Sequence, residues 1–451
     1  MIFDKLGNLN SWPLMRSSAQ HIRSNSLLRN SIYIMGTTVA TSAIGYLYWI
    51  VAAHIYSTQD VGLASAIIAV MTLTATLADL GIDSTLVHML PRRETGYAWS
   101  LTLNAGLAMG TLAGLLAAAI VGVILPLFSR QFTIFGHYPA YTAVFIAGVP
   151  LWIITILLDQ TFVAERAANN MLLRNTAFAV FKLLLMVLLV QWGALGIFSS
   201  LVLAAAATLI GGWLLLIPCL KRAYCLAVRG IVGQVRTMLS LLAWNHFINI
   251  GGLMPMYLLP VFVTVRLSAA DNAYYYTTSM VGTFFFMISS AVATALFAEG
   301  SHATDNVLHK THSSVVIISI LLVPAMLAVF LGGRSIMLLF GPDYARQGLP
   351  LLTIFAIAAV PDAITNIYVS VLRVQRRLRR AMLLNLGMAS LTLILSWVLL
   401  PILGIVGAGW AFLAAQIAGS LVAEVDIIRF YFFSPYPLRR RGREKELSRG
   451  S

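Results

Sequence analysis

Three stretches of this chain, 182–190 (KLLLMVLLV, Lys182 aside), 201–218 and 314–332, are apolar on every face rather than along one stripe. A helix in water needs only one apolar face, whereas one that is apolar all round must be surrounded by apolar matter, and runs of about 20 such residues match a bilayer core of about 30 Å. Similar runs recur from residue 31 to residue 428 and predict about twelve spans. The whole chain is 59% hydrophobic and 10% charged, where a soluble domain carries about 25% charged residues. A soluble fold is excluded. The alternating ten-residue segments of an outer-membrane barrel are absent, which leaves an all-α bundle in the membrane.

The formal net charge of +14 raises the question of nucleic acid. Its placement answers no: most Lys and Arg fall on alternate connecting segments, among them Arg92, Arg93, Arg166, Arg174, Lys221 and the run 373–380 (RVQRRLRR). Only Arg130, Arg266, Arg334 and Arg346 fall on the other side, and Lys182 lies within a span. By the positive-inside rule both termini are cytoplasmic. Residues 1–30 are polar and basic and lack a cleavable signal, so the N-terminus of this multi-pass protein is expected to stay in the cytoplasm. The run 373–380 and the basic tail act either as stop-transfer signals or as contacts for anionic lipid head groups. Cys219 and Cys225 match no metal or redox spacing and read as reduced thiols.

Sliding the chain against itself by 211 residues brings 145–174 onto 356–385 with 11 identities in 30 positions, where a chain this apolar gives roughly three by chance. Pro150 falls on Pro361, Arg166 on Arg377, Gly193 on Gly404, Gly196 on Gly407 and Asp60 on Asp271. Six spans per repeat place both repeats in the membrane in one orientation. The expected architecture is two parallel six-helix bundles related by a pseudo-two-fold along the membrane normal, a transporter plan in which rocking exposes a site between the halves. The expected segments are a basic N-terminal stretch 1–30, a first bundle 31–218, a basic linker 219–238, a second bundle 239–428 and a basic tail 429–451.

Stretches 57–93 (STQDVGLASAIIAVMTLTATLADLGIDSTLVHMLPRR), 366–385 (NIYVSVLRVQRRLRRAMLLN) and 398–409 (VLLPILGIVGAG) resemble the polysaccharide (O-antigen type) flippases of the multidrug/oligosaccharidyl-lipid/polysaccharide exporter superfamily. That resemblance implies movement of an oligosaccharide on polyprenyl diphosphate from the inner to the outer leaflet for surface polysaccharide synthesis, beside polymerases and glycosyltransferases. It also places the first helix of each bundle along a central cleft.

Ionisable groups inside a bilayer are expensive and invite functional readings. Lys182, about 16 Å from the cytoplasmic end of its span, either attracts a diphosphate, or snorkels or pairs with Asp159. Asp362 follows Pro361 where the first repeat has Leu151, so the shared fold does not need it. It either binds H⁺ or Na⁺ as a coupling site or hydrogen-bonds to Asn366. Span seven, with Asn245, His246 and Asn249 among Gly251, Gly252, Pro255 and Pro260, is expected to be bent or broken, and its counterpart carries Thr37 and Thr41. Together these are candidate substrate contacts; packing is the alternative. Asp79 and Asp83, followed by Arg92 and Arg93, form either a helix-end salt-bridge cluster or a gate. Tyr274, Tyr275 and Tyr276 read as an aromatic belt at the outer interface.

No P-loop, HExxH, GxSxG or dinucleotide fingerprint occurs, and no cofactor beyond a coupling ion is expected. The alternatives are a cation-coupled multidrug exporter of the same superfamily and a membrane glycosyltransferase or polymerase. The latter would need a long extramembrane loop, and the longest internal one is about 20 residues.

Overall fold

The computed structural model describes residues 26–221, 224–239, 243–302, 307–375 and 377–433, and among them no strand occurs. The long helices are α1 (Ser26–Ile55), α2 (Thr58–Asp79), α3 (Gly96–Phe128), α4 (Pro139–Ala164), α5 (Ala168–Leu188) and α6 (Ala194–Gly211). They continue with α7 (Ala243–Arg266), α8 (Ala269–His302), α9 (Val307–Leu338), α10 (Pro342–Val374), α11 (Leu378–Leu403) and α12 (Ile405–Phe433). Eleven of these regions are long and apolar enough to cross a bilayer, and α7 contributes the shorter apolar helix Leu253–Arg266. This is a multi-pass, all-α membrane protein. In lipid only such helices satisfy their own backbone groups.

Two details depart from the sequence expectations. Despite Pro255 and Pro260, α7 runs unbroken from Ala243 to Arg266, so of the expected bend or break the break is absent; Thr264 Oγ1 donates to the Pro260 carbonyl at 2.8 Å. Beyond Gly211, α6 passes through a π-helical turn, Gly212–Leu216, before ending at Leu220.

The chain divides into two compact units. The first comprises the residues up to Thr277 with Met337–Ala345. Its centre is α2, buried on most of its surface against α3, α4, α6 and α7. Small residues such as Gly62, Ala64, Ser65 and Ala69 let backbones approach on every side. The second unit comprises Thr278–Ile336 and the chain from Arg346 onward. Here α10 supplies Leu351, Leu352, Ala356 and Ala359 to the interior, and Phe286, Phe355 and Phe412 pack ring against ring, 4.9 to 6.1 Å between centroids.

The repeat is written in the backbone. Helices α2 and α8 start 211 residues apart, as do α6 and α12. Ser57 Oγ accepts from the Asp60 N–H and Ser268 Oγ from the Asp271 N–H, each at 3.1 Å, and each hydroxyl donates back to its aspartate. Such reciprocal caps satisfy the first orphan donors of a helix. Gly193, at φ +54° and ψ −137°, and Gly404, at φ +62° and ψ −152°, join the last two helices of each repeat in a conformation open essentially to glycine alone.

Between α4 and α5 the first unit buries an ion pair. Arg174 Nη2 reaches Asp159 Oδ1 at 2.8 Å, and Asn175 Nδ2 donates to the other carboxylate oxygen at 3.0 Å. The sequence placed Arg174 on a cytoplasmic segment, but its side chain is 1% exposed inside α5. A β-carbon at Gly212 would stand 3.5 Å from Arg174 Cδ, so the π-helical turn presents a glycine where the arginine stem passes.

Gly404→Ala is expected to cost about 1–3 kcal/mol through backbone strain alone, because its β-carbon would meet nothing within 4 Å. Gly193→Ala should cost more, its β-carbon falling 2.7 Å from Asp60 Oδ1; thermal unfolding in detergent ranks the two. Asp159→Leu strands the buried guanidinium and should cost about 3–5 kcal/mol. Adding Arg174→Met to Asp159→Leu should restore most of that stability in the same assay.

Candidate functional site

Lys182 lies six residues from the end of α5 at Leu188, about 9 Å along the axis, and so past the middle of that helix. Beyond Leu188 the chain passes through the turn Val190–Trp192 to reach Gly193. Nor does Lys182 pair with Asp159, which is taken by Arg174 and Asn175. Its ammonium instead stands 4.9 Å from the centroid of Tyr48 and 5.5 Å from that of Phe178. Tyr48 is fixed in turn, its hydroxyl donating to the Ile197 carbonyl at 3.0 Å and lying 3.1 Å from Ser200 Oγ. Two aromatic faces stabilise a cation without neutralising it. Among the described residues no carboxylate reaches Lys182, which leaves a local positive charge within a helix of the membrane domain.

In the second unit Asp362 is buried and multiply held. Ser289 Oγ of α8 donates to its Oδ2 at 2.5 Å, and Asn366 Nδ2 donates to the same oxygen at 2.9 Å and to Ser289 Oγ at 3.0 Å. Next to it Thr365 Oγ1 lies 3.0 Å from Gln416 Oε1 of α12, and Ser420 Oγ donates to the Pro361 carbonyl at 3.1 Å. The bond expected between Asp362 and Asn366 is present. Ser289, Thr365 and Gln416 were missed, although the repeat offset exposes them: their first-repeat counterparts are Ala78, Ile154 and Ala205, and that of Asp362 is Leu151. Apart from Asn366, which falls on Thr155, the polar cluster is thus confined to the second repeat. Carboxylate, hydroxyl and amide oxygens gathered in an apolar span suit a proton or a hard monovalent cation.

The other sequence candidates divide. Thr37 and Thr41 donate to carbonyls one turn back in their own helix, Tyr33 at 2.8 Å and Thr37 at 2.7 Å. Asn245, His246 and Asn249 fall on α7, but their side chains lie outside the described residues. Asp79 is buried at the end of α2 and accepts from the Gly81 N–H at 3.1 Å; Asp83 accepts from the Ser84 N–H at 2.5 Å. Arg93 reaches Thr102 Oγ1 at 3.0 Å and Gln234 Oε1 at 3.1 Å, and Arg92 is exposed. The expected salt-bridge cluster of these four residues is not formed: Asp83 sits in the first turn of the short helix Ile82–Met89, and Arg92 and Arg93 follow beyond its far end. Nor do the three tyrosines form an outward belt: Tyr275 is buried, Tyr276 packs on Trp49 at 4.7 Å and Tyr274 on Tyr344 at 5.1 Å.

Those tyrosines begin a close crossing of α2 and α8 that the sequence did not signal. Asn272 is fully buried, and its Nδ2 donates to the Gly62 carbonyl at 2.8 Å and to Ser65 Oγ at 3.0 Å. A β-carbon at Gly62 would overlap the Ala269 carbonyl and stand 2.9 Å from the Ala273 nitrogen. The helices meet backbone to backbone, which only glycine permits there.

No protein-family model and no curated protein matches the chain. Solved structures do resemble it. "Lipid II flippase MurJ, inward closed conformation" aligns with a TM-score of 0.70 at 12% identity, over 88% of this chain and 87% of that one. An inward-facing multidrug resistance MATE family transporter of the MOP superfamily aligns at 0.65 and 14% identity, over 91% and 100%. The MATE multidrug transporter DinF-BH, solved as a complex, aligns at 0.61 and 14%, over 90% and 95%. Resemblance over nearly the full length of three such structures gives this chain the MATE fold shared by transporters of the MOP superfamily.

Proposed function

We propose that this protein is a flippase that moves oligosaccharide linked to polyprenyl diphosphate across the cytoplasmic membrane by alternating access, with both termini in the cytoplasm. The observation that carries this reading is Lys182: a cation within a membrane helix, cradled by Tyr48 and Phe178 and matched by no carboxylate among the described residues. A diphosphate is the kind of cargo such a charge attracts. The fold is shared with a lipid II flippase. Glycosyltransferases that build the oligosaccharide and a polymerase that consumes it would be its working partners.

The Asp362 cluster supports ion coupling and keeps a cation-coupled multidrug exporter as the second reading. Taking up H⁺ or Na⁺ there neutralises a buried carboxylate, and this biases whichever conformation buries it most. The α2–α8 crossing supplies a discrete contact to make and break, since Asn272 must release the Gly62 carbonyl before the helices part. On the topology proposed here this crossing lies at the outer side of the membrane.

The reading is tested in proteoliposomes with a fluorescent sugar on short-chain polyprenyl diphosphate, its leaflet read with an impermeant quencher. Lys182→Met should slow flipping at least about tenfold, the equivalent of 1.4 kcal/mol, while Lys182→Arg retains part of it. Full activity in the Met variant, or transport of cationic drugs in place of the sugar lipid, would overturn the cargo. Asp362→Asn should abolish the response to imposed pH or Na⁺ gradients without stopping gradient-free flipping. For the crossing, Gly62→Val should hold α2 and α8 apart. With Cys219 and Cys225 replaced by Ser, a cysteine at Ala273, buried in the parent, should then react with an impermeant thiol reagent, and flipping should fall.

A further inference from the structure

Where α10, α11 and α12 meet near Val374 and Leu378, the second unit contains an open cavity of about 470 Å³. Its walls are apolar, with Leu372 from α10, Leu383 and Leu391 from α11, and Val422 from α12. Its mouth is polar. There Asp426 Oδ2 accepts from the Tyr368 hydroxyl at 2.6 Å and from Arg380 Nη1 at 3.2 Å.

Three properties of this cavity call for an occupant. Gly387 lines it from the interior of α11, and a β-carbon there would meet nothing within 4 Å. Glycine leaves this part of the cavity free of side chain, and a larger residue here would project into it. The second property is depth. From Arg380 at the mouth to Leu391 is an eleven-residue rise, about 16 Å of helix, or half of a bilayer core of about 30 Å. The third is charge. Arg380 lines the mouth, and Arg377 and Arg379, exposed like it, lie within three residues of it along the chain. Asp426 offsets one of these charges and uses one of the five N–H donors of Arg380, leaving the rest of the guanidinium free for a phosphate. A stop-transfer signal accounts for the arginines but asks nothing of Gly387 or of the cavity.

We propose that this cavity is a lipid site that takes one acyl chain of an anionic phospholipid, its phosphate held by Arg380 with Arg377. The site is one leaflet deep and positive only at the mouth, the distribution of chemistry along half a bilayer on its basic side. Asp426 is a positioning residue that fixes the Arg380 fork. The inference rests on α10, α11 and α12 spanning a membrane and is independent of the transported cargo.

The experiment is native mass spectrometry of the full chain in detergent, titrated separately with dioleoyl phosphatidylglycerol and dioleoyl phosphatidylcholine. Competition against bound phosphatidylglycerol is run with inorganic phosphate and with polyprenyl phosphate. The parent should hold one phosphatidylglycerol with about fivefold preference over phosphatidylcholine, the effect expected of one arginine at a membrane surface. Gly387→Phe should remove that lipid by filling the cavity, and Val422→Trp should do the same from the opposite wall. Thermal unfolding of both variants confirms that the loss is not one of folding. Arg380→Gln should keep a bound lipid but lose the preference. The proposal is overturned if both cavity-filling variants bind phosphatidylglycerol as the parent does, or if the parent shows no preference. It is equally overturned if inorganic phosphate displaces the lipid, or if polyprenyl phosphate does so at equal concentration, which would make the cavity a path for the cargo's own tail.

Discussion

A bilayer offers backbone N–H and C=O groups no water to bond with, and nearly everything else in this molecule follows from that constraint. It makes every described span a helix, and it also sets the fate of the polar side chains those helices carry. Thr37, Thr41, Thr72, Thr74, Thr76 and Thr161 all turn their hydroxyls back to a carbonyl of their own helix four residues earlier. Such a residue is satisfied without a partner elsewhere. The groups that cannot do this, because they are charged or too large, must find one across a helix interface, and they are the ones that carry the molecule's specificity.

This distinction explains what could be read from sequence. The spans were legible because hydropathy and the bilayer dimension measure the same quantity, and the repeat because identities at Pro150/Pro361 and Gly193/Gly404 fall at one offset. Asp362 was legible as an acid with no counterpart. Its partners were not, since a serine or glutamine in a span is ordinary until a second helix is known to face it. The burial of Arg174 was illegible for a related reason: a basic residue near a span boundary reads as an end marker, and only Asp159 on the neighbouring helix reveals that it is buried. Tyr274, Tyr275 and Tyr276 were assigned to the interface because aromatic rings favour it, but Trp49 and Tyr344 offered those rings better-packed surfaces.

The two repeats have kept and lost different things. The backbone devices are held in common: the Ser–Asp caps at α2 and α8, and the glycines before α6 and α12. Such positions answer to geometry, which duplication doubles and selection on folding preserves. The polar interiors have diverged. One repeat holds Arg174 with Asp159 and the lone Lys182, the other the cluster about Asp362, and none of these four charged residues falls on a charged residue at the same offset. In an architecture built twice, chemistry is free to specialise wherever the scaffold does not require it.

Gly404 also bears on how the chain enters the membrane. It is the single residue between the end of α11 at Leu403 and the start of α12 at Ile405. A joint this short leaves no polar loop to be carried across on its own, and no charge at the turn to oppose its passage. On the topology proposed above, in which this turn faces outward, the two helices would partition into lipid together, as a hairpin whose backbone groups are already satisfied when its tip crosses. The same glycine that fixes the joint in the finished protein thus sets the unit in which the last part of the chain is inserted during synthesis.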